Sequence, residues 1–380
     1  MNKILKTCAV ISSGLFFSVS GLAAKWDADF GLQLSTAYDD NFLMEDDEQD
    51  TWEYLVTPSV SFNYDSQKAT SSLSLIYVVN RYSEFDEFDS EDPFLTWGAS
   101  YQTERLRWRI NAGYSESSQR DFADEDTGEF DSNTEVETIS VSPSVDIQVT
   151  QNDFLGITLG YSERNYDAND FADNENESAS LEWRHQVSKK LATLLTTSYA
   201  EYSSTREFVE DSDTEYVQVQ AGFDYKFSET KSLNAYAGYF ESDRERVVFT
   251  LPANTLLEED NTGTILGAKL NSKQEQSEWY LSLSRSLYPS SQGEVEERDA
   301  VSFSWDYNLS ERSSVGFTGS WTETDSTQNG RTVIRFSPSY SYKLTRKIIV
   351  EASYQYRQFD PDAGVRTESN RVLVGLDYNF

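Results

Sequence analysis

The sequence predicts an all-β fold: a transmembrane up-and-down antiparallel β-barrel of about eighteen strands, with short periplasmic turns and long acidic extracellular loops. Three observations predict it. Apolar and polar residues alternate strictly over stretches of about ten positions from Trp26 to the end, the period of a strand with one greasy face. Connections alternate between short turns and long polar loops, and aromatic residues sit at the ends of many strands.

Composition closes the other routes. The 380 residues carry 65 acidic against 31 basic side chains, a net charge of −34, with one Cys and one His. Mean hydropathy is −0.61. Beyond the first two dozen residues the longest apolar run is Leu75 to Val79, far short of the roughly 20 residues of a spanning helix. The negative charge repels phosphate backbones and argues against nucleic acid. A chain with 14% aromatic residues is equally unlike a disordered acidic tail. At the start, Lys3 and Lys6, the apolar stretch Cys8 to Val19 and Gly21-Leu22-Ala23 read as an export signal over residues 1–23, leaving 24–380 as one barrel domain. Cys8 falls within that signal, so the exported chain relies on hydrogen bonding and packing without disulfides.

The strands follow in order. The first, 26–38, closes on Tyr38-Asp39-Asp40-Asn41, and 52–64 sets Tyr54, Val56, Pro58, Val60, Phe62 and Tyr64 on one face. Next come 69–82, then 93–103 with Trp97 and Tyr101, and 106–117 with Leu106, Trp108, Ile110, Ala112 and Tyr114. Ile139, Val141, Pro143, Val145 and Ile147 define 135–149; Tyr161 and Tyr166 mark 154–166; Leu181 and Trp183 mark 177–187; Tyr202 lies in 191–203. The clearest case is 214–227, where Val217, Val219, Ala221, Phe223, Tyr225 and Phe227 oppose Gln218, Gln220, Gly222, Asp224 and Lys226. After it come 232–244, 262–273, 277–288 and 298–309, the last with Val301, Phe303, Trp305, Tyr307 and Leu309. The series ends with 313–325, 331–344, 348–359 and 368–380.

Short turns fall at Asp65 to Lys68, Ser188 to Lys190, Glu229 to Lys231 and Thr345 to Lys347. Long acidic loops are expected at Glu45 to Asp50, Glu84 to Asp92, Asp121 to Asp131, Asp167 to Glu177, Glu207 to Glu215 and Glu258 to Asp260. A soluble β-sandwich or propeller also alternates, but it hides its apolar face in a core and does not need aromatics at strand ends. The chain ends on Phe380 with Val372, Val374, Leu376 and Tyr378 on the same face, similar to the terminal strand that outer-membrane assembly machinery recognises.

Several motifs have competing readings. Pro58, Pro143 and Pro338 lie in related stretches after long loops; each either bulges its strand or marks a repeated hairpin in a duplicated scaffold, and the second is favoured. His185 shares parity with Leu181 and Trp183 and reads as interfacial rather than catalytic. No enzyme chemistry and no cofactor is expected. The acidic loops lack the order of ligands that builds a calcium loop, so no metal site is assigned; loose divalent bridging to lipopolysaccharide competes with a plainly solvated surface. Asp121-Phe122-Ala123-Asp124 and Asp170-Phe171-Ala172-Asp173 repeat one motif in successive loops.

Opposite the lipid face lie Arg105, Arg107, Arg109, Arg184, Lys226, Lys269, Arg335 and Lys343, the candidate pore-lining residues, with Asp146, Glu182, Asp224, Asp306, Glu351 and Asp377 as acidic company. Charge inside a wide barrel implies water, because unpaired charge in a dry interior is prohibitively costly. Basic turn residues such as Lys68, Lys189, Lys190, Arg312 and Lys347 suggest end-to-end segregation, basic at the periplasmic mouth and acidic outside. Turn chemistry alone explains the same residues equally well.

Tyr38-Asp39-Asp40-Asn41, the strands around Pro58, Pro143 and Pro338, and the terminal Phe380 resemble the outer-membrane β-barrel porin family associated with exopolysaccharide export. The resemblance implies an eighteen-stranded exit for a secreted polysaccharide, acting with a periplasmic polysaccharide-export protein, and carries no catalytic residue. Two other functions fit the barrel: a general diffusion porin for small solutes, and a surface-structural or adhesive barrel that displays acidic loops. Outer-membrane lipid and lipopolysaccharide are partners in every case.

Overall fold

In the computed structural model the described residues are 25–380 except 124–127, 129, 169, 207–208, 250–254, 291–294 and 327–329. The export signal read over 1–23 lies outside them. The strands are β1 (Lys25–Asp39), β2 (Thr51–Asp65), β3 (Ala69–Tyr82), β4 (Ser90–Gln102), β5 (Leu106–Ser118), β6 (Glu135–Gln148), β7 (Asp153–Tyr166), β8 (Asp173–Gln186) and β9 (Leu191–Arg206). They continue with β10 (Glu210–Lys226), β11 (Lys231–Val248), β12 (Thr255–Lys273), β13 (Ser277–Pro289), β14 (Val295–Asn308), β15 (Ser313–Asp325), β16 (Arg331–Lys343), β17 (Ile348–Pro361) and β18 (Thr367–Asn379). Each pairs antiparallel with its sequence neighbours, and β1 pairs with β18 from Gly31↔Asn379 to Asp39↔Arg371, so the sheet closes. Closure removes the sheet edges that lipid could not hydrogen-bond.

The alternation resolves as predicted. Trp26, Phe30, Leu34, Val56, Phe62, Trp108, Leu159, Leu181, Val217, Val219, Phe303, Val372 and Val374 lie exposed on the outer face, where the lipid is. Aromatic pairs mark both margins. Trp26 meets Tyr64 at 4.8 Å on the periplasmic side, and Tyr38 meets Trp52 at 5.3 Å on the other. With a rise of about 3.3 Å per residue and a tilt near 40°, the span between those margins is roughly 30 Å, a membrane's thickness.

Three sequence readings are decided by the structure. The first concerns the acidic loops. Glu258 to Asp260 lie inside β12, much of Glu207 to Glu215 belongs to β10, Asp173 to Glu177 open β8, and Ser90 to Asp92 open β4. Above the lipid the outer face is wet, so acidic residues occupy the outward positions that apolar ones fill lower down. In consequence β9 to β12 run 16, 17, 18 and 19 residues and stand taller than most of the other strands.

The second concerns the prolines. Beside Pro58 the ladder with β3 lapses between Val56↔Val79 and Ser59↔Ile76. Beside Pro143 it lapses between Val141↔Tyr161 and Ser144↔Thr158, and beside Pro338 between Phe336↔Tyr356 and Ser339↔Ser353. The register is the same on both sides of each gap, so no residue is inserted and no bulge forms. Each proline withholds one donor from the following strand, and the bulge, the reading not favoured from the sequence, is absent.

The third concerns Arg105. It lies in the turn between β4 and β5, not on the strand that carries Arg107 and Arg109.

The extracellular loops turn inward, and there the only small apolar cores among the described residues form. Phe42 packs with Tyr82, Phe85 and Phe88; Met44, Ala123 and Phe130 pack against Val333 and Phe359; Val136, Tyr166 and Phe171 gather with Phe122. The repeated Asp-Phe-Ala-Asp motif thus delivers Phe122 and Phe171 to one cluster.

Candidate functional site

The lumen is the only extended concave surface this architecture offers, and its side chains change with height. Near the periplasmic rim, Arg107 and Arg109 project inward from β5. Arg109 binds Asp146 at 2.8 Å, and Arg107 donates to Gln102 at 3.2 Å. Arg184 on β8 binds Asp224 at 2.9 Å. With the turn residue Arg105, these line a depression of about 570 Å³ that also takes in Glu182 and Gln186. Lys226 and Lys343 end their strands at this rim. Lys269 points inward on β12 and lies 4.5 Å from the Tyr280 ring. Arg335 points inward higher up on β16, opposite Arg357.

At mid-height on β3 to β8 the inward positions turn small and neutral. Gly98, Asn111, Gly113, Ser140, Ser142 and Ser178 border a concavity of about 490 Å³. Nothing bulky projects there because serine and glycine alternate with the outward apolar residues.

The extracellular third holds arginines that the sequence reading did not single out. Arg335 lies directly across from Arg357, and Arg371 stands on the next strand, opposite Gln355. Arg357 reaches Asp39 at 3.7 Å, and Arg371 binds Glu53. From the β5–β6 loop, Arg120 lies 3.5 Å over the Phe42 ring and donates to the Phe42 carbonyl at 2.6 Å. Burial pulls the Arg120 guanidinium below its usual range. Its neighbour Asp121 is reached by water in the mouth yet ringed by protein. That enclosure, reinforced by Asp92 and Glu53 and opposed by Arg120, pushes its carboxyl up to about 6. Higher on β16, Arg331 binds Glu296 of β14 at 3.4 Å with both side chains 1% exposed.

At the extracellular end, charge also differs between the outer and inner faces. Outward positions above the lipid on β8 to β12 carry Glu177, Glu201, Glu215, Asp243 and Asp260, laid side by side by the register. Inward positions at comparable height on β16 to β18 carry Arg335, Arg357 and Arg371, with Asp39 beside Arg357 and Glu53 beside Arg371. Periodicity had Glu201 and Asp243 within strands, but it gave Asp260 to a loop and counted Glu177 and Glu215 at loop ends, so the row across five strands was not visible.

Two further motifs prove structural. Tyr38-Asp39-Asp40-Asn41 fastens the barrel seam: Asp39 accepts from Ser369 at 2.6 Å, Asp40 from the Asn370 backbone at 2.7 Å, and Asn41 donates to the Glu368 carbonyl at 3.0 Å. His185 and Trp183 both reach Asp153 at the outer periplasmic margin, His185 at 2.8 Å. Among the described residues no cluster of His, Cys, Asp and Glu converges as a metal site.

No protein-family model and no curated protein matches the sequence. Solved structures do match the fold. The ferric-catecholate import receptor Fiu from E. coli K12 superposes with a TM-score of 0.51 at 9% identity, over 93% of this chain and 82% of that one. OpdO of Pseudomonas aeruginosa gives 0.49 at 12% identity over 93% and 97%. OccAB4 of Acinetobacter baumannii gives 0.48 at 13% over 93% and 98%. At such identities the likeness is one of architecture, and it agrees with the lipid-facing alternation and the sealed sheet: the chain is an eighteen-stranded β-barrel of the outer membrane.

Proposed function

We propose that the barrel is a diffusion channel for small hydrophilic solutes with a preference for anions. The observation that carries the reading is the inward arginine patch of β16 to β18, where Arg335 faces Arg357 and Arg371 stands one strand on. Three guanidiniums on neighbouring strands concentrate positive charge on the inner wall, which draws anions. Asp39 and Glu53, which hold Arg357 and Arg371, temper that field so that an anion is not trapped. The lower cations Arg105, Arg107, Arg109 and Arg184 extend a cationic path to the periplasmic rim, and Gln102, Asp146 and Asp224 beside the last three keep them from trapping an anion.

Export of an exopolysaccharide with a periplasmic partner draws no support from the comparisons. The inward-folded loops also count against it, since Phe42, Phe130 and Tyr202 are buried in the mouth and a polymer would have to displace them.

The test is a planar bilayer with a salt gradient across it. Steady conductance with a reversal potential on the anion side is expected, and replacing Arg335, Arg357 and Arg371 by Ser should move that potential toward cation preference. Cation selectivity in the wild type, or no shift in the triple variant, would refute the reading. The polysaccharide alternative predicts loss of surface polysaccharide on deletion and little intrinsic conductance.

A further inference from the structure

Above the lipid, the wall of the barrel splits between β12 and β13. Their ladder ends at Leu266↔Arg285, although β12 stays paired with β11 up to Thr255↔Val248. The cause is visible in the β13–β14 hairpin, which turns into the mouth. The Tyr202 hydroxyl of β9 donates to the Ser290 carbonyl at 2.5 Å, and Glu297 of β14 lies 3.2 Å from where a Cβ on Gly263 would stand. With the β13–β14 hairpin inside the barrel, β12 stays paired with β11 but presents its other edge over Leu256–Ile265, where no ladder with β13 forms among the described residues. The stretch from Leu256 to Thr262 is exposed. Such an edge holds a row of backbone donors and acceptors oriented for one more strand.

The side chains say what kind of strand. Outward on β12, Asp260 stands beside Asp243, and Glu258 beside Glu245. The row continues through Glu215 and Glu201 to Glu177, so five adjacent strands set five carboxylates next to one another and the row ends at the edge. Like charges directly opposite cost stability, while an opposite charge in the next position returns it. A second copy of this chain would bring acid against acid. Thr262 and Thr264 separate Glu258 and Asp260 from the lipid-facing Leu266, which places the two carboxylates in water above the membrane.

We propose that the Leu256–Ile265 edge of β12 accepts an extended polypeptide segment with lysine or arginine at alternate positions, added as a further strand on the outer wall. The backbone edge supplies affinity, and Glu258 and Asp260 select the partner's charge.

The experiment uses the full barrel in lipid nanodiscs and three short labelled peptides: one alternating lysine with threonine and valine, one with the lysines replaced by glutamate, and one with the basic charge kept but proline at the threonine positions. Saturable binding is expected for the first alone, with the other two about tenfold weaker or more, and with new amide-exchange protection confined to Leu256–Ile265. Glu258→Lys with Asp260→Lys should reverse the charge preference while leaving channel conductance intact. Equal binding of the proline peptide would show electrostatic adsorption in place of strand addition. Protection elsewhere, or no binding, would overturn the proposal, as would spontaneous disulfide dimers through Thr262→Cys, which would give the edge to a second copy.

Discussion

At the scale of single residues, two positions report on the filled mouth. Arg331 and Glu296 are both almost fully buried. Removing one partner of such a pair strands a charge, which costs about 3–5 kcal/mol. Arg331→Met is expected to lose that much in urea unfolding from vesicles, and Arg331→Met with Glu296→Leu to regain most of it; a double variant as weak as the single one would contradict the pairing. Asp121 supplies the pH dependence. Its carboxyl is raised to about 6, so the folded loop favours the neutral form. The contribution is complete below the ordinary range near 4 and is lost as pH rises through about 6. Amide protection around the Gly128 to Ala123 hydrogen bond should fall over that window, and Asp121→Asn should flatten the profile. A flat profile in the wild type would refute it.

At the scale of elements, each of the repeated prolines leaves a gap in one ladder and changes nothing in register. Pro143→Thr restores a donor toward β7, so stability should rise by about 0.5–1.5 kcal/mol, read as a higher urea midpoint with unchanged cross-strand contacts. A shifted register would mean the proline does set the pairing. The strands themselves were legible because lipid on one side and water on the other impose a period of two on every one of them. Where that contrast vanishes, legibility goes with it: Glu258 and Asp260 lie in β12 but read as loop, since above the membrane both faces of a strand meet water. The inward course of the loops was hidden for another reason. Phe42, Phe85 and Phe130 look like isolated aromatics in acidic stretches, and only the closed sheet brings Val333, Phe359 and Tyr82 to meet them. The arginines of β16 to β18 were partly visible: Arg335 was singled out by parity, while Arg357 and Arg371 were passed over though they obey the same rule.

At the scale of the whole molecule, three consequences follow from one arrangement. Apolar residues outward fix the barrel in lipid, inward charge requires water, and sheet closure satisfies the backbone, with no helix long enough to span among the described residues. The diffusion channel and the edge on β12 both depend on it. The most direct test is a cysteine scan along β10 from Val217 to Asp224 in a Cys8→Ser background, reacted in vesicles with a water-soluble, membrane-impermeant thiol reagent. The account predicts that cysteines at Gln218, Gln220, Gly222 and Asp224 react while those at Val217, Val219, Ala221 and Phe223 are shielded by lipid. Uniform reactivity, or the opposite alternation, would contradict it.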